Sequence, residues 1–204
     1  MKHSIVRFCV VSSFAVFLAG CVVPSMQPFY TPDAVLNTQE ITGTWCWSNG
    51  KHIGPWEFGW DIVNRGDYDA PGAISVKYFK VGDDLFMDTT ARKLDEKEVS
   101  IYWAMHTVPV HLVFKVLKDE DKVRLIPLNH DNLKAMVVTG RVSLSCVRVE
   151  NDLLFTGTSE QWMSFLQRHK NDDKLFPANT AMEFVPYVAA SDIAEKDGVA
   201  FASG

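Results

Sequence analysis

The sequence lacks the motifs that mark most enzymes and most nucleic-acid-binding proteins. It has no Gly-x-Ser-x-Gly motif and no glycine-rich phosphate loop, and it has neither a Cys-x-x-Cys nor a His-x-x-x-His pair. Its 20 Lys and Arg residues are outnumbered by 25 Asp and Glu residues, so the net charge of −5 gives no basic surface for nucleic acid. We therefore expect a protein without catalytic activity, without a cofactor and without a nucleic-acid partner.

The composition is that of an ordinary folded domain. Of the 204 residues, 47% are apolar and 22% are charged, which excludes the disordered and fibrous classes. This length suits one domain, or a domain with a tail, and not a multidomain enzyme.

The first 21 residues have the pattern of an export signal. Lys2 and Arg7 precede an apolar run, Phe8–Leu18, which is shorter than the ~20 residues that a membrane-spanning helix needs. The motif Leu18-Ala19-Gly20-Cys21 follows where the apolar run ends, and it resembles the lipobox of bacterial lipoproteins. In that family the signal is cleaved before the cysteine, whose sulfur carries a diacylglyceryl group and whose new amino group is acylated. The resemblance implies that residues 1–20 are removed and that Cys21 is the lipidated N-terminus.

The same resemblance implies a location. Val22 stands where an Asp would retain a lipoprotein at the inner membrane, which implies sorting to the outer membrane, with the body facing the periplasm. Several acyl chains form a stable anchor, whereas one chain binds only marginally. Removal of Lys2 and Arg7 leaves 18 cations against 25 anions, and a body of net charge −7 is not drawn onto an anionic membrane. The predicted membrane contact is therefore the lipid on Cys21.

Two cysteines, Cys46 and Cys146, remain in the mature chain besides the lipidated one. Because a periplasm is oxidising, they are candidates for a disulfide. A bridge over about a hundred residues would restrict the unfolded chain by ~4.7 kcal/mol in the entropic model. The alternative, two separate buried thiols, is common in protein cores.

The mature chain divides into three parts. Residues 21–36 contain three prolines and little periodicity, which predicts an extended tether between lipid and domain. Residues 37–187 form a β-rich domain, and residues 188–204 are small, polar and Ala-rich, which indicates a disordered tail. Alternating apolar segments separated by turn residues predict strands in the domain. These segments are Ile41–Ser48, Trp56–Ile62, Ala73–Lys80, Leu85–Thr89, Ile101–Met105, Val108–Leu117, Lys122–Leu128, Val142–Val149, Leu153–Thr156 and Met182–Val185.

The spacing of the strands, with no long helix between them, predicts a mainly β fold, an antiparallel barrel or sandwich. Two short helices interrupt it. Thr158 and Gln161 form a capping box, and the apolar face that follows it consists of Trp162, Phe165, Leu166 and His169. A shorter helix is predicted over Asp131–Val138, with Asn129 or His130 near its start.

The order of several short motifs is similar to a family of bacterial outer-membrane lipoproteins. The motifs are Gln27-Pro28-Phe29-Tyr30, Gly43-Thr44-Trp45, Leu85-Phe86-Met87-Asp88, the stretch from His106 to His111, and the stretch from Leu154 to Glu160. They cover roughly residues 21–185. The resemblance implies a class and a location, and it carries no reaction.

The motif Gly43-Thr44-Trp45 also resembles the Gly-x-Trp signature of lipocalins, in which the Trp packs across the base of the barrel and the other end binds an apolar ligand. By this resemblance Trp45, Trp56, Phe58 and Trp60 are candidate ligand-binding residues. The alternative is a filled core, since aromatic side chains dominate cores.

Histidines offer only a weak indication of a metal site. His106 and His111 lie five residues apart, which puts them on opposite faces of one strand unless a bulge re-aims one of them. With His130 and Asp131 they could form a site of N and O ligands, but strand histidines more often pack or donate hydrogen bonds.

The sequence as a whole indicates a lipid-anchored envelope lipoprotein, a non-catalytic structural or interaction module with an envelope protein as a possible partner. A lipocalin-like carrier of an apolar small molecule is the alternative.

Overall fold

The computed structural model describes residues 23–36, 41–48, 56–59, 62–65, 74–91, 110–119, 121–149 and 152–187. The predicted signal peptide, Cys21, the predicted strand Ile101–Met105 and the predicted tail 188–204 lie outside these ranges.

Strands dominate the described chain. They are β1 (Val35–Leu36), β2 (Gly43–Trp47), β3 (Trp56–Phe58), β4 (Ile62–Arg65), β5 (Ile74–Val81), β6 (Asp84–Ala91), β7 (His111–Lys118), β8 (Val123–Pro127), β9 (Cys146–Val149), β10 (Asp152–Phe155) and β11 (Met182–Pro186). The helices are α1 (His130–Val138) and α2 (Ser159–His169), with single 3-10 turns at Pro32–Ala34 and Ala178–Thr180.

Eight of the strands pair in a closed antiparallel ring, which confirms the predicted mainly β fold and shows a barrel. β2 to β8 follow one another in chain order, and β11 closes the ring between β8 and β2. The ladder between β5 and β6 runs from Ile74 opposite Ala91 to Val81 opposite Asp84. The ladder between β4 and β5 has only the two pairs at Ile62 and Val63. β5 to β8 therefore form the long, firmly paired half of the barrel.

Most predicted strands differ from the observed ones by a residue or two at an end, but two of them differ in kind. The segment predicted as Trp56–Ile62 is divided between β3 and β4, which pair as antiparallel neighbours. In the segment predicted as Val142–Val149 only β9 is a strand, while Val142 and Leu144 are buried without strand pairing. Alternating apolar residues show which side chains point inward, but they do not show whether the backbone has a partner strand.

Side chains alternate between two separate cores on the two faces of the sheet. In β5, Val76 and Tyr78 point into the barrel, whereas Phe79 and Val81 point outward. The interior core consists of Ile41, Trp45, Phe58, Val76, Tyr78, Leu85, Met87, Phe114, Val116, Val123, Leu125 and Phe184. Because the outer face of β5 to β8 is also apolar, it too must be covered.

The outer core is covered by α2, by the β9–β10 hairpin and by the N-terminal residues. Thr158 is the N-cap of α2. Its hydroxyl accepts from the backbone N–H of Gln161, while its own N–H donates to Gln161 Oε1 over 2.9 Å. This is the predicted capping box. Trp162, Phe165 and Leu166 are buried, as the helical spacing predicted. The helix thus packs on the flank of the barrel.

The C-terminal end of α2 is also fastened to the sheet. Lys170 lies 2.7 Å from Oδ2 of Asp84, and its Nζ donates to the carbonyl oxygen of Val81 over 2.9 Å. Both partners flank the two-residue turn between β5 and β6, in which Gly82 has a φ of 62°. The end of α2 is therefore held against the turn between β5 and β6.

The predicted tether is wrong for residues 23–36, because this segment is packed against the barrel. Val23 and Phe29 are 1% and 0% exposed, and β1 pairs with β5 through Val35 opposite Phe79. The prolines interrupt regular hydrogen bonding, but they do not prevent the apolar residues between them from packing. The folded domain therefore begins at least as early as Val23.

We predict that Phe165→Ala lowers the free energy of unfolding by ~3–5 kcal/mol, because it empties a fully packed site in the outer core. Thr158→Ala removes only the cap and is expected to lower it by ~1 kcal/mol. Urea unfolding of both variants measures the two values. Equal losses, or a smaller loss for Phe165→Ala, would contradict the position of α2 on the barrel.

Candidate functional site

The most unusual feature of the outer core is a buried polar cluster where β6 and β7 lie side by side. Asp88 is paired with Val113 in this ladder, and His111 lies two residues from Val113 on the same face. Diagonal neighbours of this kind are within reach of each other across an antiparallel pair. The register therefore brings Asp88 and His111 together on the outer face.

The carboxylate of Asp88 is 2% exposed and has partners for both oxygens. Oδ1 lies 2.7 Å from Nδ1 of His111, and Oδ2 accepts from the backbone N–H of Phe29 over 3.0 Å. Burial raises the pKa of Asp88 above its ordinary value, and the contacts with His111 and Phe29 offset this only in part. A buried carboxylate of this kind is stable only while its partners stay in place.

Ser25 fastens the N-terminal segment between β7 and β10. Its backbone N–H donates to the His111 carbonyl over 3.0 Å, and the His111 N–H donates back over 2.8 Å. On its other side, the Phe155 N–H donates to the Pro24 carbonyl, and the Met26 N–H donates to the Phe155 carbonyl. The segment is therefore a short strand with partners on both edges.

Trp162 covers this strand from α2. Its Nε1 donates to the Ser25 hydroxyl over 2.9 Å, and its ring centroid lies 4.4 Å from that of Phe29 and 5.4 Å from that of Phe155. Ser159, in the first turn of the same helix, donates its hydroxyl to the Pro28 carbonyl. We call Ser25, Phe29, Asp88, His111 and Trp162 the N-terminal docking site.

The docking site contains the residue types of a Ser-His-Asp triad, but its hydrogen bonds serve another purpose. The Ser25 hydroxyl donates to the Gln27 carbonyl over 2.7 Å and accepts from Trp162. Nucleophilic catalysis needs that hydroxyl to donate to the histidine base. His111 instead contacts Asp88 with its ring and Ser25 with its backbone. The geometry is that of a structural clamp.

The candidate ligand-binding residues divide between the interior and the undescribed chain. Trp45 is 8% exposed and donates its Nε1 to the Ile41 carbonyl over 3.0 Å. Phe58 packs edge-on against Phe184 at 5.3 Å between ring centroids. The side chain of Trp56 and all of Trp60 lie outside the described residues. Trp45 and Phe58 are thus parts of one packed core.

The structure contradicts the predicted disulfide, because Cys46 and Cys146 are both free thiols. Cys46 lies in β2 of the barrel, opposite Val185. Cys146 lies in β9, opposite Phe155, in a separate two-stranded sheet on the outer layer. The sequence shows two strands but does not show that they belong to different layers.

The histidines considered for a metal site have different partners in different elements. His130 begins α1, and its Nε2 lies 3.0 Å from Oδ1 of Asp152, whereas His111 is engaged with Asp88. Within the described ranges no group of three or more His, Cys, Asp or Glu side chains is arranged to hold a metal ion. His106 lies outside those ranges.

Most of the docking site comes from the motifs that carried the family resemblance. Phe29 belongs to the first motif, Asp88 to the middle strand, and His111 to the stretch that ends with it. The last motif, from Leu154 to Glu160, contains Phe155 and Ser159, which contact the site. Sequence reasoning missed that these motifs meet in space, and it missed Ser25 entirely. The collinear order of these motifs was the feature of the sequence that could have indicated a shared site.

Three comparisons with known proteins found no similarity: no family model, no curated protein and no solved structure matches the chain. In the part of the chain that the structure describes, no α-helix has both the length and the apolar character needed to cross a bilayer. Interpretation of the site therefore depends on its geometry.

We predict that Asp88→Ala lowers the free energy of unfolding by about 1–3 kcal/mol, because the buried N–H of Phe29 loses its acceptor. It should also speed chymotrypsin cleavage after Phe29 or Tyr30, since the segment is released. The matched control is Asp119→Ala, whose carboxylate is 56% exposed and pairs with Arg124. That surface pair should contribute less than about 1 kcal/mol. Unchanged proteolysis in Asp88→Ala would show that the clamp does not hold the segment.

Proposed function

We propose that the chain is a lipid-anchored lipoprotein of the bacterial outer membrane that faces the periplasm. In this proposal its β domain is a non-catalytic structural or interaction module, and its partner is another envelope protein. The observation that best supports this role is the docking of the N-terminal segment, which starts two residues after the lipobox cysteine.

The short distance between lipid and domain gives the docking its significance. A chain extends by at most ~3.6 Å per residue, so Cys21 lies within ~7 Å of Val23. Val23 is 1% exposed in the outer core, and Ser25 is paired with strands on both sides. An anchor attached this close would transmit its position to the barrel directly.

The polar groups of the docking site support a non-catalytic role. The Asp88 carboxylate accepts from the Phe29 N–H and the Trp162 indole donates to the Ser25 hydroxyl, and both hydrogen bonds join the N-terminal segment to the domain. A catalytic group needs an atom that can reach a substrate. The buried carboxylate, at 2% exposure, is instead used to hold the chain.

A lipocalin-like carrier is the second candidate, because the ring of strands runs up and down and Gly43–Trp45 begins its first strand. A carrier needs unfilled apolar volume inside the barrel. Twelve buried interior side chains, among them Trp45, Phe58 and Phe184, pack as one cluster. This filled part of the interior favours the module.

We predict that Cys21→Ser abolishes incorporation of labelled fatty acid and leaves the protein unprocessed or soluble in the periplasm, because a serine hydroxyl cannot form the thioether. Metabolic labelling and membrane fractionation measure both effects. Cys146→Ser is the matched control: it also removes a thiol, but that thiol lies in β9, and labelling should continue. Labelled Cys21→Ser protein in the membrane fraction would contradict the proposal.

A further inference from the structure

The N-terminal strand extends the β9–β10 hairpin to three strands. Ser25 lies opposite Phe155 in a parallel bridge, and Phe155 lies opposite Cys146. Ser25 and Phe155 point into the outer core, and both are 0% exposed. Because side chains alternate along strands, the neighbours of these residues point to the opposite face.

That opposite face is apolar and exposed. The register sets Pro24 beside Leu154, and Leu154 is paired with Val147. Met26, Val147 and Val149 are 42%, 53% and 51% exposed, which makes them three of the most exposed large apolar side chains in the described chain. We call Pro24, Met26, Val147, Val149 and Leu154 the hairpin face.

The hairpin face is close to the point where the lipid is attached. Pro24 is three residues from Cys21, so the two Cα atoms are at most ~11 Å apart. Neighbouring strands are about 4.8 Å apart, so the row from Pro24 to Val147 extends about 10 Å across the three strands. Because Ser25 and Phe155 form a parallel bridge, the chain from Met26 back to Val23 runs alongside β10 toward its Leu153 end. The whole face therefore lies within a short distance of the anchor.

We infer that the hairpin face rests on the lipid bilayer into which the acyl chains of Cys21 insert. This inference rests on the proposed lipoprotein function and adds an orientation to it. Because Pro24 is only three residues from the lipidated Cys21, the bilayer surface passes close to the exposed apolar side chains. Apolar side chains beside a bilayer are stabilised by leaving water.

The charges around the hairpin face do not oppose this contact. Arg148 lies between the two exposed valines in the sequence, but it is paired with Leu153, so its side chain points to the other face of the hairpin. Asp152, the acid opposite Val149, lies 3.3 Å from Nζ of Lys134 and 3.0 Å from Nε2 of His130. With the hairpin face on the bilayer, the side of the barrel remote from the hairpin is left to face a partner.

The test places a photoreactive amino acid, benzoylphenylalanine, at position 147 or 149 of the full-length protein. The lipidated protein is purified and reconstituted in vesicles of phosphatidylethanolamine and phosphatidylglycerol. The control position is Tyr187, whose large side chain is also exposed, at 43%. It belongs to the barrel, because its backbone N–H donates to the Thr44 carbonyl. After irradiation we expect peptides containing position 147 or 149 to shift by the mass of a phospholipid, and peptides containing position 187 not to shift. Two target positions guard against one variant that fails to fold.

Each other outcome overturns the inference in a recognisable way. If the protein carries its acyl groups but positions 147 and 149 form no lipid adduct, the orientation is wrong and the lipoprotein function stands. If position 187 reacts equally, the barrel has no fixed orientation. Adducts with a second copy of the chain instead of lipid would identify the hairpin face as a contact between copies and would overturn the inference. If no acyl group is found on Cys21, the proposed function fails and the inference fails with it.

Discussion

The indole of Trp162 is the contact on which the outer half of this structure depends. It joins α2 to a residue 137 positions earlier, Ser25, through a buried hydrogen bond, and it packs between Phe29 and Phe155. The sheet of β5 to β8 is apolar on both faces, and a barrel by itself covers only the inner face. Helix and N-terminal strand together cover the other face, and Trp162 is where they meet.

The buried pair of Asp88 and His111 gives this covering layer a specific position. Apolar packing alone would let the N-terminal segment slide along the sheet, since apolar contact has no direction. A carboxylate with 2% exposure requires its hydrogen bonds, and Phe29 supplies one of them from its backbone. We interpret the pair as the contact that sets the register of the segment. Burying the carboxylate costs free energy, and in return the segment has one defined position on the sheet.

Local patterns predicted much of the fold, because they depend on neighbouring residues. The capping box at Thr158 and the buried stripe from Trp162 to Leu166 are confirmed, as is α1, whose N-cap is Asn129. The antiparallel barrel was one of two architectures that the strand spacing allowed. Long-range pairing was not predictable, because alternation does not identify the partner of a strand. This explains both the wrong disulfide between Cys46 and Cys146 and the division of the segment after Trp56 into two strands.

The wrong tether has a different cause. Three prolines and weak periodicity between residues 21 and 36 are typical of an extended linker, and within this segment Ser25 indeed forms a bridge to two other strands. The sequence of this segment does not show the surface on which the segment packs, because that surface is built from β6, β7, β10 and α2. The docking site became recognisable only when Phe29, Asp88 and His111 were seen together.

Hydrogen exchange of the backbone amides tests most directly whether the N-terminal segment is part of the folded domain. The relevant amides are those of Ser25, Met26 and Phe29, which donate to His111, Phe155 and Asp88. If the docking is correct, they exchange slowly, with protection comparable to the amides in the ladder between β6 and β7. If they exchange as fast as an unstructured peptide while that ladder stays protected, the segment is a tether after all, and the account of an anchor joined rigidly to the barrel is wrong.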